Sequence, residues 1–523
     1  MQATQEEHPT HNLAHTVGRS TLFGIIANVV QVMTRLVTVP IVIHHLGLGG
    51  YGIWNVVMMT ATYMRFGSVG VKTAFQKYVA EATGNGDYET ANKLLSTGSA
   101  IMLVLSIAVL IPVAFFSERI AQLSGVPLVF LKSAAASISL LAVIMLMSNA
   151  CAAFEGIVMG GHRIDLLRKY STFSSLAEAC AIVAVLHFGF SLAAMATVMG
   201  TSELLYLAFC YLASERVVPQ IRLGLHSISK SALYEFFRFA GSYQVVNLLD
   251  VVYNTLIPVA ILRSFGANSA GVYAVVTRVI GVATTLQYSF LVPIVSAGAM
   301  VFASGSSEKM RTLLSKAFKL TLGLSLLPLG FFAVFGPTVA YAWTGQMNES
   351  FRPAFWLVCA CTLFAAFSLL ALVLYRATGK VLLDNTRQML RISAIVALVA
   401  LAPRLGFVGL LGGLAGCELA AMLFMLYALG KTFSVFRPRV VLPGMVRLTV
   451  AAVLIIAAGL AASYIPLPVA QTGRLFATLK LAESGVACLI VAWPLLIQTG
   501  SVTLPERKAL FASVFPKMQP SKS

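Results

Sequence analysis

The stretch VTVPIVIHHLGLGGYGIW, residues 37–54, returns in altered form as TLIPVAILRSFGANSAGVY, residues 255–273. Both copies carry a proline inside an apolar run, followed by a Leu-Gly or Phe-Gly pair and then by a cluster of glycine and an aromatic residue. Pro40 and Pro258 are 218 positions apart. Similarity at so long a distance indicates that the chain contains a duplicated half.

Further pairs continue the repeat in the same order, with separations that fall only from 218 to 215. They are Gly161 with Gly379, the FGF ending at Phe190 with the LGF ending at Phe407, and Glu203 with Glu418. Each copy is predicted to hold six helices, an even number, so both copies enter the membrane from the same side. We therefore expect two lobes related by a pseudo-two-fold axis along the membrane normal.

The composition predicts an all-α polytopic membrane protein. Of the 523 residues, 58% are hydrophobic and 11% are charged, and the mean hydropathy is +0.85, which exceeds what the core of a soluble domain requires. The apolar run after Ser20 is long enough to span the membrane, so we expect no cleaved signal peptide. Runs able to cross about 30 Å of hydrocarbon predict about fourteen transmembrane helices, which start near residues 21, 51, 95, 133, 170, 191, 237, 270, 315, 353, 389, 408, 447 and 479.

These helices divide the chain into lobes, a linker, an appended helix pair and two tails. The predicted domains are a cytoplasmic tail at 1–19, an N-lobe with helices 1–6 at 20–213, a cytoplasmic inter-lobe linker at 214–236, a C-lobe with helices 7–12 at 237–430, appended helices 13 and 14 at 445–498, and a cytoplasmic tail at 499–523.

Basic residues fix the predicted orientation. With the N-terminus inside, the tails and the alternate connections, including 376–391, hold 27 of the 37 Lys and Arg, and the opposite side holds seven. This bias predicts that both termini are cytoplasmic. The net charge of +18 is spread over short clusters, which argues against a nucleic-acid partner. The seven cysteines lie in apolar runs and are expected to pack there, with no disulfide or metal site.

The first predicted helix of each lobe carries a polar stripe. Asn28, Gln31 and Arg35 are spaced i, i+3 and i+7, which places them on one helix face. At an offset of 219 they correspond to Asn247, Asp250 and Asn254, which have the same spacing. A charge near the bilayer centre costs at least about 2.5 to 3.5 kcal/mol, so we expect Arg35 and Asp250 to face protein or a water-filled cavity. The alternative is a structural ion pair that holds the lobes together.

Other ionisable residues lie within predicted helices. Arg65 and Arg278 belong to the second helix of each lobe and are expected to line the same cavity, although Arg278 could also lie at the interface. Glu178, Glu203 and Glu418 lie in the fifth or sixth helices, and together with Asp250 they are candidates for coupling to H⁺ or Na⁺. The alternative for each glutamate is a protonated side chain bonded to a neighbouring helix.

Enzymatic chemistry is not expected. The longest predicted cytoplasmic loops have roughly 25 residues, too few for a catalytic domain. The sequence contains no phosphate-binding loop, zinc motif or catalytic triad spacing. We therefore expect no catalytic residues and no cofactor other than a coupling ion, and this chain alone is not expected to use ATP.

A central arginine followed by LGLGGYGIW, residues 46–54, and then by GVKTAFQKYVAEATGNGDYETANKLLSTG, residues 70–98, resembles the polysaccharide flippase branch of the multidrug/oligosaccharidyl-lipid/polysaccharide (MOP) exporter superfamily. The resemblance extends over roughly residues 15–430. It implies two six-helix lobes around a central cavity in the bacterial inner membrane. It further implies movement of an undecaprenyl-pyrophosphate-linked oligosaccharide from the cytoplasmic to the periplasmic leaflet by rocking of the lobes.

The resemblance gives the polar stripe expected roles. Arg35 would attract the pyrophosphate or an anionic sugar, with Arg65 and Arg278 adding positive potential. Hydrogen bonds to sugar hydroxyls would come from Asn28, Gln31, Asn247 and Asn254. The expected partners are the lipid-linked oligosaccharide, membrane lipids and a glycan polymerase with its export machinery, and the expected state is a monomer.

Other functions are weighed against this one. Fourteen helices are shared with the lipid II flippases of the superfamily, but the start of this chain does not resemble theirs. A multidrug or cation antiporter would favour an anionic cavity, whereas Arg35 and Arg65 favour an anionic substrate. A major facilitator transporter would carry a Gly-Asp-Arg loop that is absent from residues 72–94. A membrane scaffold for a glycan polymerase would not need polar stripes.

Overall fold

The computed structural model describes residues 10–64, 66–303, 306–377, 381–432, 438–466 and 473–498. Within these ranges the regular structure is entirely helical. The α-helices are α1 (Thr10–Met64), α2 (Phe66–Asn85), α3 (Tyr88–Phe115), α4 (Ser117–Leu123), α5 (Leu128–Ala150), α6 (Ala152–Gly160), α7 (Ile164–His187), α8 (Leu192–Val217), α9 (Lys230–Ala303), α10 (Ser307–Thr344), α11 (Phe351–Ala377), α12 (Val381–Thr432), α13 (Pro438–Ala462) and α14 (Arg474–Gln498).

Three long helices are broken into two legs by a single glycine. The breaks are at Gly47 in α1, Gly266 in α9 and Gly406 in α12, where φ is 72°, 81° and 71°. Glycine adopts this left-handed region without the steric cost that a side chain would bring. Segments that the sequence predicts as separate helices are therefore joined with only one non-helical residue between them.

The membrane-spanning character of the chain is confirmed. In the described residues, ten helical segments are long and apolar enough to cross a membrane, and α13 contains a shorter apolar helix, Val446–Ala462. Three of the ten contain the glycine breaks. Counting two legs for each of these three and adding α13 gives the fourteen segments that the sequence predicts.

Large apolar side chains on the outer surface agree with a lipid environment. On α3, Val104, Leu105, Val109 and Ile111 are between 51% and 64% exposed. A soluble protein rarely presents a continuous apolar face of this kind to water. Lipid is the solvent that this face requires.

The backbone supports the repeat independently of residue identity. Left-handed glycines occur in pairs at nearly the repeat distance: Gly47 with Gly266, Gly125 with Gly345, and Gly189 with Gly406. Their separations are 219, 220 and 217 positions. The first pair has the same separation as the two polar stripes, which supports the register used to align Arg35 with Asn254.

The chain forms two compact units, residues 1–271 and 272–523. In the first unit α1 packs against α7 and α5, and α8 packs against α5 and α7. In the second unit α10 packs against α11, and α11 against α12. The appended helices α13 and α14 pack on each other and on α10. The predicted lobe boundaries at 214–236 stay a prediction.

The segment that follows α8 is bound to one face of α3. Asn92 accepts a hydrogen bond from the Arg222 amide at 2.8 Å and donates to the Gln220 carbonyl at 3.4 Å. One turn further along α3, Ser96 accepts from the Gly224 amide at 3.1 Å and Thr97 from the Ser229 amide at 3.0 Å. These side chains replace the water or helical partners that a loop backbone needs. The segment 220–229 is thereby fixed to α3.

The predicted cytoplasmic location of the connection at 376–391 stays a prediction, but part of this segment is helical. The helix α12 already begins at Val381, and Arg387 and Arg391 are buried within it, at 6% and 9% exposure. Hydropathy alone places a segment with several charges outside the membrane. The described arginines of this segment, Arg387 and Arg391, are instead buried inside the second unit.

Candidate functional site

The first unit contains a polar cavity of about 330 Å³. One face of α7 supplies three serines and a glutamate at spacings i, i+3, i+4 and i+7: Ser171, Ser174, Ser175 and Glu178. The helix α8 adds Ser202, Glu203 and Tyr206, and α6 adds Glu155. Three carboxylates and five hydroxyls therefore face one space.

The polar stripe of α1 reaches this cavity. The amide of Gln31 donates a hydrogen bond to the Ser171 hydroxyl at 3.2 Å. Arg35 lies one turn further on and is close enough to Glu178 for their opposite charges to attract. The structure thus brings together four predicted site residues: Gln31, Arg35, Glu178 and Glu203.

Hydroxyl groups support the two glutamates on α7 and α8. Glu203 Oε1 accepts a hydrogen bond from Ser148 of α5 at 2.7 Å. Ser202 lies beside Glu178 in the cavity wall, and its oxygen is 2.6 Å from the Ser174 hydroxyl. A hydroxyl can donate to a carboxylate or accept from a carboxylic acid. The Glu203 carboxyl group can therefore remain bonded to Ser148 whether or not it carries a proton.

A third glutamate of the cavity forms an ion pair that sequence reasoning missed. Glu155 lies 2.5 Å from the Lys72 ammonium of α2, and the two side chains are 20% and 18% exposed. Tyr206 of α8 lines the same cavity as Glu155. The available signal was a glutamate inside the apolar run AAFEGIVMG, residues 152–160. Lys72, 83 positions away, carries no such signal.

Aromatic rings lie beside the cavity. The Tyr170 ring stacks on Phe209 with centroids 4.5 Å apart and is tilted against Tyr206 at 5.7 Å. Tyr206 lines the cavity directly. Flat apolar faces next to carboxylates and hydroxyls form a surface that suits a polyhydroxylated ligand.

Several predicted site residues lie elsewhere. Arg65 is outside the described residues, and the side chains of Asn28, Asn247 and Asp250 are also outside what the structure describes. The predicted pairing of Arg35 with Asp250 therefore stays a prediction. Asn254 is an exposed residue of α9 in the first unit, whereas Arg278 is half-buried in the second.

Glu418 occupies a different kind of site in the second unit. It is 2% exposed, and Oε1 accepts hydrogen bonds from Arg391 Nε at 2.9 Å and Nη2 at 2.7 Å. Arg391 Nη1 also donates to Gln388 at 2.9 Å. The carboxylate is held by a permanent cation, since a guanidinium does not lose its proton in proteins.

The structure shows no candidate metal site in the part of the chain that it describes. There, His, Cys, Asp and Glu side chains do not form a group of three or more that could hold a metal ion. The polar residues of the cavity are instead donors and acceptors of hydrogen bonds. They can orient a solute or carry a proton.

Known proteins share this fold and part of the sequence. The family described as "Polysaccharide biosynthesis protein" matches residues 17–300, more than half of the chain. The membrane protein EpsK of Bacillus subtilis (strain 168) is 21% identical over 327 residues. That match covers 60% of this chain and spans 62% of the length of EpsK.

Solved structures show the fold. The lipid II flippase MurJ in an inward closed conformation has a TM-score of 0.69 at 11% identity, covering 92% of this chain and 99% of MurJ. An inward-facing multidrug resistance MATE family transporter of the MOP superfamily has a TM-score of 0.65 at 15% identity, covering 78% and 94%. A helical transporter fold and a family match over most of the first 300 residues agree with the resemblance seen in residues 46–98. The chain therefore belongs to the polysaccharide biosynthesis protein family.

Proposed function

We propose that this protein flips an undecaprenyl-pyrophosphate-linked glycan repeat unit across the bacterial inner membrane by alternating access. Both termini would be cytoplasmic, as the distribution of Lys and Arg predicts. The observation that carries the proposal is the contact of the α1 polar stripe with a hydroxyl-rich cavity, through Gln31 and Ser171. Family membership supports the same substrate class.

The substrate would be bound by its polar parts. Arg35 would attract the pyrophosphate or an acidic sugar, and Arg65 and Arg278 would add positive potential. Gln31 and the serines of α7 supply donors and acceptors of the kind that sugar hydroxyls need. Asn28, Asn247 and Asn254 would extend these hydrogen bonds.

Ion coupling would act through the carboxylates of the first unit. A proton or Na⁺ that neutralises Glu178 would remove its attraction for Arg35. The freed guanidinium would then hold the anionic substrate more strongly. Glu203 and Asp250 stay candidates for the same role, while Glu418 ranks below them because Arg391 already neutralises it.

A reconstituted assay tests this function directly. The purified full chain in proteoliposomes should flip a fluorescent undecaprenyl-pyrophosphate oligosaccharide faster than liposomes that lack protein. Lipid II and a cationic dye in the same vesicles serve as competing substrates. Faster transport of either competitor, with no flipping of the oligosaccharide, would refute the proposal.

The second candidate is a cation antiporter of the same superfamily. It is favoured by one observation, the three carboxylates Glu155, Glu178 and Glu203 that line the cavity. Their partners Lys72 and Arg35 offset part of this negative charge. We therefore rank an anionic lipid-linked substrate first.

A further inference from the structure

The appended helices α13 and α14 help to enclose a large cavity that the proposed function does not use. The cavity has a volume of about 1030 Å³ and lies where α10 and α13 end and where α11 and α14 begin. All of its lining residues belong to the second unit. Arg352 and Lys480, which line it, are among the seven basic residues that the predicted topology places opposite the cytoplasm. Its volume is that of a large small-molecule site.

Most of the cavity wall is apolar. The lining residues of α14 run from Gly473 to Ser484, which is roughly 16 Å of helix. Leu475 of α14 and Tyr464, just after α13, are exposed on the outer surface of the same region. A long apolar wall beside a lipid-facing surface suits a hydrocarbon chain. The apolar lining side chains are Val334, Phe335 and Pro337 of α10, Leu460 of α13, and Phe476, Ala477 and Leu481 of α14.

One polar group within this wall has no partner. Ser484 of α14 is fully buried, and its hydroxyl forms no hydrogen bond among the described residues. A serine inside a helix often bonds to the carbonyl four residues earlier, as Ser325 does with Thr321. Leaving a buried hydroxyl unbonded is unfavourable. The free Ser484 hydroxyl therefore indicates that a ligand with a hydrogen-bond acceptor or donor reaches this depth.

A cation lines the cavity one turn nearer to the start of α14. The Lys480 ammonium donates hydrogen bonds to Glu483 at 3.0 Å and to the Ile465 carbonyl. An ammonium group has three N–H donors, so one remains for a further acceptor. Lys480 and Ser484 are four residues apart and both line the cavity. The arrangement offers a charged donor and, one turn deeper, a neutral hydroxyl.

The mouth of the cavity carries charges of both signs. Glu349 and Arg352, beside the start of α11, line the cavity and are exposed. A carboxylate binds an ammonium group well and repels a phosphate, whereas Lys480 favours the phosphate. A head group with both a phosphate and an amine would satisfy both kinds of charge. A purely anionic head group would leave the Glu349 carboxylate facing a like charge.

We propose that this cavity binds one zwitterionic glycerophospholipid of the adjacent leaflet, with a phosphate and a primary amine in its head group. Lys480 binds the phosphate, and Glu349 binds the amine. Ser484 donates to an ester carbonyl, which lies deeper in such a lipid than the phosphate, as Ser484 lies deeper than Lys480. The acyl chains follow the apolar wall of α10, α13 and α14. This site gives the appended helices a role, and it does not rest on the proposed transport function.

Native mass spectrometry of the purified full chain tests the site. The protein is released from vesicles that contain equal amounts of phosphatidylethanolamine and phosphatidylglycerol. The wild type should retain one phosphatidylethanolamine, with a severalfold preference over phosphatidylglycerol. Equal retention of the two lipids would overturn the proposal, because the lipid would then not be recognised by its amine.

Variants locate the retained lipid. Ala477→Trp fills the cavity and should abolish retention, whereas Leu489→Trp, on an exposed part of the same helix, should leave it intact. Glu349→Gln, at an exposed position that does not endanger the fold, should remove the preference for phosphatidylethanolamine. Ser484→Ala should lower retention severalfold. Wild-type retention in Ala477→Trp, or an unchanged preference in Glu349→Gln, would overturn the assignment to this cavity.

Two competitors exclude other occupants. Inorganic phosphate in large excess should leave the retained lipid in place, and so should undecaprenyl phosphate in an amount equal to that of phosphatidylethanolamine. Displacement by phosphate would reduce the site to an anion site, and displacement by undecaprenyl phosphate would assign it to a polyprenyl chain. Either result would overturn the proposal. Because no transport is measured, a protein that retains the phospholipid but flips no glycan would refute the proposed function alone.

Discussion

The Glu418 carboxylate accepts two hydrogen bonds from the Arg391 guanidinium, at 2.9 and 2.7 Å, in the interior of the second unit. Its repeat counterpart Glu203 accepts one from Ser148 and faces a polar cavity in the first unit. The two copies therefore use a glutamate at matching positions for different purposes. One glutamate is neutralised by a buried guanidinium, and the other lines a polar cavity.

Breaking the buried ion pair should destabilise the protein. Arg391→Leu leaves Glu418 charged and buried, which we expect to cost about 3 to 5 kcal/mol. The double variant Arg391→Leu with Glu418→Leu should recover most of this loss. Thermal unfolding of the purified protein measures the effect, with Arg352→Leu at an exposed position as the control. Equal stability of Arg391→Leu and wild type would contradict the structural role of the pair.

The two glutamates should also differ in transport. In proteoliposomes, Glu203→Gln should abolish the acceleration of flipping by an imposed proton or sodium gradient, because the amide cannot take up the cation. Glu418→Gln should lower the amount of folded protein but leave the gradient response of the surviving protein intact. The reverse pattern, with coupling lost only in Glu418→Gln, would exclude the assignment to Glu203.

Arg35 should be required for activity. We expect Arg35→Gln to abolish complementation of glycan export and Arg35→Lys to retain part of it, since lysine keeps the charge but not the planar donor set. Gln31→Ala should reduce export less, because it removes one neutral hydrogen bond to Ser171. Protein levels in the membrane must match, with Arg119→Gln on α4 as the control. Normal export by Arg35→Gln would rule out this role.

The ion pair at the edge of the cavity can be tested by charge exchange. Lys72→Glu and Glu155→Lys should each reduce stability, and the double exchange should restore much of it. The coupling energy for this half-buried pair should be on the order of 1 kcal/mol. A double-mutant cycle on thermal unfolding measures it. A coupling energy of zero would mean that the Lys72 contact is not maintained in solution.

The start of α3 should depend on pH through Asp87. The Thr90 side chain and amide hydrogen-bond to this carboxylate and lower the pKa of Asp87 from its ordinary value, and Oδ1 lies 3.1 Å from the amide nitrogen. A lowered folded-state pKa gives stability that is present above the ordinary pKa and is lost as the pH falls through the lowered one. Hydrogen exchange at Tyr88 to Ala91 should therefore accelerate in acid. Asp87→Asn, which keeps a capping oxygen, should remove this pH dependence.

Much of the fold could be predicted from sequence, because spans and repeats depend on local hydropathy and spacing. The face of α7 from Ser171 to Glu178 has helical spacing in the sequence, although only Glu178 on this face is a predicted site residue. The burial of Arg391 could not be predicted, since its partner is 27 positions away and meets it only after packing. The same holds for Lys72 and Glu155, which are 83 positions apart.

The binding of residues 220–229 to α3 has a consequence for the connection between the two copies of the repeat. A flexible linker of this length would let its two ends move apart and would lower the effective concentration of one copy near the other. Asn92, Ser96 and Thr97 hydrogen-bond to the main chain of this connection as far as Ser229, and α9 begins at the next residue. The connection between α8 and α9 therefore behaves as a short anchored segment and not as a flexible linker.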